Sequence, residues 1–246
     1  MRNIRIYQSG SYCIHDEVHL SEMASHHLAT VLRCKIGDNI LIFPGDGFDY
    51  QSTITAANKK TVIVHINAKI INNTESSIKL HLGQSICKGD KMDWILQKGT
   101  ELGVTEFTPI ISEHSTMVFD AKRQEKKLAH WQNIIIHAAE QSGRAIIPKI
   151  NAFCLLEKFM CIKNIAQNKW ILSPSTIKSS EHSLANDMSS QQVILVGPEG
   201  GWSINELDIA KTAGFNLLSF GKRILRTETA PLVCISILQF ITGNLS

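Results

Sequence analysis

The feature that most limits what this chain can become is a change of rhythm near residue 72. Upstream, short alternating runs are broken by turn clusters: Asn39 to Phe43, then Pro44-Gly45-Asp46-Gly47, then Tyr50 to Ala56 and Thr61 to Ile70. Period-two alternation puts successive side chains on opposite faces, so these runs predict the short strands of a small β-barrel or sandwich. One helix interrupts them over 21–33, with Ser21 as N-cap and Met23, His27, Leu28, Val31 and Leu32 near helical spacing. Asn72-Asn73-Thr74-Glu75-Ser76-Ser77 has no apolar residue and reads as a linker, dividing the chain into domains 1–71 and 72–246.

From Ile78 onward strands alternate with longer helical patterns, which predicts βα units and a mostly parallel sheet, an α/β domain. The strands are expected over 78–86, 107–111, 170–172, 193–196 and 217–220, and the helices over 91–102, 124–142, 155–166, 204–213 and 229–241. The helix over 124–142 turns Leu128, Trp131, Ile134, Ile135 and Ala138 inward and stops at Gly143, a left-handed terminator.

At 246 residues and 43% hydrophobic composition the chain can bury two cores. A net charge of +3 permits a nucleic-acid partner without requiring one. No apolar run reaches membrane-spanning length, and the basic N-terminus has no apolar stretch behind it, so a cytoplasmic protein without a membrane partner is expected. The six cysteines lie far apart with no C-x-x-C pair, against structural zinc or a disulfide framework. Four of them (Cys87, Cys154, Cys161 and Cys234) have apolar neighbours and read as small core residues.

Two loops carry the chemistry. The strand Val193 to Val196 runs into Gly197-Pro198-Glu199-Gly200-Gly201-Trp202, and Ser203-Ile204-Asn205-Glu206 then opens a helix as a capping box. A glycine loop at the carboxyl end of a parallel strand lets backbone approach a ligand where open α/β sheets bind them. About twenty residues on, a second strand ends in Gly221-Lys222-Arg223-Ile224-Leu225-Arg226-Thr227-Glu228-Thr229-Ala230. Apolar and charged residues there suit a ring and a polar substrate, although a sharp turn and a solvated basic loop would use the same residues.

GPEGGWS followed by GKRILRTETA resembles the paired signature loops of the RsmE family of ribosomal RNA uridine methyltransferases, in the SPOUT superfamily. Earlier motifs agree: His26-His27-Leu28 with Val31-Leu32-Arg33, Lys88 to Met92, Gln97 to Val104, and Glu140 to Arg144. The resemblance implies a PUA-like RNA-binding β-barrel, a C-terminal α/β domain with a deep trefoil knot, and a homodimer. It implies an S-adenosylmethionine-dependent enzyme that methylates N3 of a uridine in small-subunit ribosomal RNA, as naked RNA or assembled subunit. Carried over by position, the donor site comprises Leu172, Val196, Gly197, Glu199, Gly200, Phe220, Gly221, Ile224, Leu225, Thr229 and Ala230. Arg226, Glu199 and Glu228 are the expected catalytic groups, Arg226 for a uridine anion and the carboxylates for a proton or a water. Arg2, Arg5, Arg33, Arg123 and Arg144 are the expected RNA contacts.

Departures from the family pattern are Phe220 and Pro231, and His114 where relatives often carry Arg. Pro231 is tolerable only in a first helical turn, which starts the last helix at Thr229. His137 and Glu140 stand at helical spacing, but no further ligand completes a metal site, and none is expected. Ribose 2′-O methylation and a non-catalytic assembly role remain the alternatives.

Overall fold

The computed structural model describes residues 4–58, 60–115, 120–162, 168–174 and 190–245. Contacts divide the chain into one unit that runs to Glu75 and takes in Ala139–Ile147, and another made of Ser76–Ala138 with the chain from Pro148 onward. The first holds strands β1 (Arg5–Tyr7), β2 (Glu17–His19), β3 (Asn39–Phe43), β4 (Phe48–Ala57) and β5 (Val62–Ile71), and helix α1 (Glu22–His26) with a π-helical turn over His27–Val31. The predicted barrel takes the form of a five-stranded sheet ordered β1-β3-β4-β5-β2, in which only β1 and β3 run parallel. Alternation does what the sequence promised: Val62, Val64 and Ile66 of β5 point into a core with Ile40, Ile42 and Leu28. Ser21 caps α1 by accepting from the backbone N–H of Ala24 at 3.2 Å.

The segment 72–77, read as a linker, is polar for a different reason. Glu75 accepts hydrogen bonds from Arg144 at 2.6 Å and from the backbone N–H groups of Ala145 and Ile146 at 2.9 and 3.1 Å. Asn72 and Thr74 both donate to the carbonyl of Gly143. These side chains satisfy backbone groups left over where the long helix ends, and contacts group 139–147 with the chain up to Glu75.

The second unit contains β6 (Lys79–Ser85), α2 (Lys91–Glu101), β7 (Val104–Ile111), α3 (Ala121–Ser142, whose end lies in the first unit), β8 (Lys149–Ile150), β9 (Cys154–Leu155), α4 (Leu156–Met160), β10 (Asn168–Leu172), β11 (Gln191–Val196), α5 (Ile204–Thr212), β12 (Asn216–Leu218) and α6 (Thr229–Ile241). Every pairing in its sheet is parallel, in the order β12-β10-β11-β6-β7-β8, with β9 beside β7. The last strand ends at Leu218, so Phe220 belongs to the loop, and the fourth helix is one short turn. The central strands are near-continuous apolar runs, as both-faces burial demands: Val193 to Val196 are all buried. The register sets Leu172 beside Val196 and Leu218. Three strands therefore end on one level, and the two glycine loops leave from that level.

Cys87 and Cys234 are buried as expected, whereas Cys161, the C-cap of α4, is exposed. Among the described residues no helix is long and apolar enough to cross a membrane, and no metal-binding cluster is present.

Near the amino ends of β6 and β7, His81 Nε2 lies 2.8 Å from Thr108 Oγ1 and its Nδ1 lies 3.7 Å from Glu106 Oε2. Burial lowers the His81 pKa against the opposing pull of Glu106. The folded state thus takes up this proton less readily than the unfolded one, and stability falls as pH drops through about 6.5, the ordinary histidine value. Burial opposes ionisation of Glu106, but the Asn151 hydrogen bond and the nearby cations win and lower its pKa. Its contribution is lost further down, in the same direction. The urea midpoint is expected to fall between pH 7.5 and 5.5, and to fall less in His81→Gln; an equal fall would assign the acid sensitivity to other groups.

Candidate functional site

A cleft of about 390 Å³ opens where β10, β11 and β12 end, within the range of roughly 300–1,000 Å³ typical of small-molecule sites. Leu172, Val196 and Leu218 form its floor, with Gly197, Pro198 and Glu199 from the first loop and Phe220, Gly221, Ile224, Leu225 and Arg226 from the second. Ala230 in the first turn of α6 closes one side. Of the eleven expected donor-site residues, Gly200 and Thr229 do not line the cleft. A Cβ on Gly200 would instead stand 3.1 Å from the Cβ of His114, so that glycine gives room to His114. The His114 ring Nδ1 lies 3.1 Å from the carbonyl of Gly201 and tethers the same loop from its far side.

The loop is shaped by contacts the sequence did not disclose. Trp202 donates from Nε1 to the carbonyl of Leu172 at 2.9 Å, and its ring packs so close to Gly197 that a Cβ there would meet it at 3.2 to 3.4 Å. Ser203 and Glu206 close the predicted capping box and start α5. Thr227, buried, donates to the carbonyl of Gly197 at 2.6 Å and accepts from Gln84 at 3.3 Å, which joins the second loop to the first and to the end of β6. Cys87 lies beside it, and burial pushes its thiol up to about 11, so it is a protonated core residue.

Of the three expected catalytic residues, Glu199 and Arg226 line the cleft while Glu228 does not, and a partner not foreseen, Lys91, also lines it and reaches Glu228. Its ammonium lies 2.9 Å from Glu199 Oε1 and 3.5 Å from Glu228 Oε2. Burial opposes ionisation of Glu199, but hydrogen bonds from Lys91, from its own loop and from the Lys88 backbone N–H outweigh it and hold the carboxyl below the usual glutamate range. A carboxylate so held is a weak base and a good anchor. Arg226 is exposed on the cleft, and its carbonyl accepts from the N–H groups of Thr229 and Ala230 at 2.9 Å each.

The fit to a donor of the expected type rests on this lining. Apolar walls suit a ring, and Gly221, at φ +68°, keeps open space where a side chain would otherwise project, with nothing within 4 Å. Glu199 and Lys91 supply charge at the rim.

A model of the RNA methyltransferase domain matches residues 74–239, and one of the RNA methyltransferase PUA domain matches residues 20–67. The ribosomal RNA small subunit methyltransferase E of Buchnera aphidicola is 36% identical over 244 residues, covering 98% of each chain. The chain belongs to the ribosomal RNA small subunit methyltransferase E family. Two solved structures match over 98% of both chains. One is a Legionella pneumophila methyltransferase in complex with the bound cofactor SAM, at 38% identity and a TM-score of 0.92. The other is the Neisseria gonorrhoeae ribosomal RNA small subunit methyltransferase E bound to S-adenosyl methionine, at 34% identity and a TM-score of 0.88. The fold of this family member is thus a mixed α/β one, with an N-terminal PUA-like domain and a parallel-sheet methyltransferase domain.

The residues expected to contact RNA do not share one environment. Arg5 is half-buried, with its side chain 7% exposed, bonded through Nη2 to Asp49 at 2.6 Å and through Nη1 to the carbonyl of Ala139, and with its guanidinium 3.5 Å from the Phe43 ring centroid. Arg144 is 4% exposed and paired with Glu75. Both guanidinium groups are occupied inside the first unit, where they hold the fold. Arg33, at φ +56°, and Arg123 are exposed, and Arg2 lies outside the described residues.

Proposed function

We propose that this chain transfers a methyl group from S-adenosylmethionine to N3 of a uridine in small-subunit ribosomal RNA. The observation that carries the reading is the cleft at the ends of β10, β11 and β12, framed by both glycine loops in a chain 38% and 34% identical to proteins solved with that donor. When bound, S-adenosylmethionine supplies an electrophilic methyl on a sulfonium. Leu172, Val196, Phe220, Ile224, Leu225 and Ala230 would wall its adenine side, and Gly197 and Gly221 would let backbone come close.

The uridine N3–H is a poor nucleophile until it loses its proton, so the protein's task is to favour that loss and to hold the anion. Arg226, permanently charged and free of any ion pair among the described residues, suits the anion. Glu199, held ionised, suits an orienting role. Glu228 has a buried oxygen with no hydrogen bond, which suits a proton acceptor or a water ligand.

The same reading includes a grip on RNA through exposed Arg33 of the PUA-like domain and exposed Arg123 of the methyltransferase domain, a cytoplasmic setting, a homodimer and a deep trefoil knot. The strand order β12-β10-β11-β6, in which β12 lies beside β10 rather than beside β11, is compatible with the knot. Apolar side chains left on the surface support a second copy as partner: Ile224 is 79% exposed, Phe240 on α6 is 68%, and Trp94 on α2, which packs against α6, is 44%. Tritiated donor with small subunits from a strain lacking the enzyme is expected to label 16S RNA, and nucleoside mass spectrometry to find 3-methyluridine. A ribose-methylated nucleoside would replace this reading with 2′-O transfer, and no label would leave a non-catalytic assembly role.

A further inference from the structure

We propose that Lys91 is a positioning residue for the donor cleft: its ammonium fastens Glu199 in the first glycine loop to Glu228 at the start of α6, and so sets how far apart the two loops stand. The proposal rests on the donor reading above. Lys91 is the first residue of α2, where the helix dipole disfavours a cation. Its place there is accounted for by the two carboxylates it reaches, at 2.9 and 3.5 Å. The backbone N–H of Lys88 donates to the same Glu199 oxygen at 3.1 Å, so residues 88 to 91 grip the first loop twice. Glu228 Oε2 is shut from solvent with no hydrogen bond, and Lys91 is its ion-pair partner.

Removing the ammonium would leave two carboxylates facing the same gap. Like charges so placed repel, and either the loops part or one carboxylate takes up a proton. Around Glu199 the remaining charged or titratable groups are Glu228, Cys87 with its raised pKa, His114 behind the loop, and Arg223 and Arg226 across the cleft. Among the described residues, none of these bonds to the Glu199 carboxylate, whose partners are Lys91 and the Lys88 backbone N–H. The Glu199 hydrogen bond raises the Lys91 pKa and lowers that of Glu199, the reciprocal signature of one held pair.

The test uses the ligand-free full chain first. Carbon-13 carboxyl NMR, with Glu199→Gln to assign the resonance, is expected to give a higher Glu199 midpoint in Lys91→Met and a near-native one in Lys91→Arg. Calorimetry with S-adenosylmethionine is expected to give a dissociation constant tenfold or more above wild type for the Met variant, and within threefold for the Arg variant. A Met variant with wild-type melting temperature and an unmoved midpoint or unmoved affinity overturns the proposal, as does an Arg variant no better than Met. If wild type itself binds no S-adenosylmethionine, the donor reading fails, while the NMR midpoints still decide whether Lys91 governs Glu199.

Discussion

Replacing Gly197 with Val is expected to weaken S-adenosylmethionine binding at least thirtyfold, about 2 kcal/mol, while the chain stays folded. Gly197 follows the last residue of β11 and has an ordinary backbone conformation, so the substitution adds bulk without backbone strain. The bulk has nowhere to go, because even a Cβ would press on the Trp202 ring at 3.2 to 3.4 Å, and Val carries two methyls more. Trp202 is fixed in turn by its bond to the carbonyl of Leu172, and both residues line the cleft. One added side chain would therefore move a wall, break that bond and disturb the Gly197 carbonyl that accepts from Thr227. Calorimetry reads the affinity, and Gly197→Val with Trp202→Leu is expected to recover part of it. A folded Gly197→Val protein with native affinity would mean that the first loop takes no part in holding the donor.

Gly200 in the same loop faces His114 instead of the cleft, so Gly197 is the glycine at which added bulk would meet the donor. In the sequence the three glycines of Gly197-Pro198-Glu199-Gly200-Gly201 are equivalent, since spacing says that backbone is exposed but not to what. The βα alternation was legible because strand and helix periods differ, and the start of α6 at Thr229 followed from what Pro231 forbids. The order of the strands was not legible from periodicity, because β12 pairs with β10 across more than forty intervening residues and no local pattern records that choice. Arginines were the hardest to place. Arg5 and Arg33 look alike in a basic segment, yet Asp49, forty-four residues away, draws the first into the fold. Lys91 sits in the Lys88 to Met92 stretch with no task legible there, because the partners that give it one lie 108 and 137 residues further along.

Arg226→Ala is expected to lower single-turnover methylation 100-fold or more, about 2.7 kcal/mol, with little change in donor affinity. Arg226 follows the apolar residues Ile224 and Leu225 that would wall the donor, and its own backbone is committed to the first turn of α6 through Thr229 and Ala230. The side chain is left at the open edge of the cleft, exposed and permanently charged. A cation there gains little from a neutral uridine and much from its anion, so its loss should fall on the transition state rather than on binding. Lysine keeps the charge but not the planar fork, and is expected to restore only part of the rate. The structural rival, in which Arg226 serves to neutralise Glu228, is weakened by Lys91, which already occupies that carboxylate at 3.5 Å. A second rival has Arg226 bonding to a partner subunit, in which case the Ala variant would lose dimer or thermal stability and keep its rate per folded dimer. Single-turnover rates measured beside sedimentation separate the two, and a dimeric Ala variant with a native rate would remove Arg226 from the chemistry.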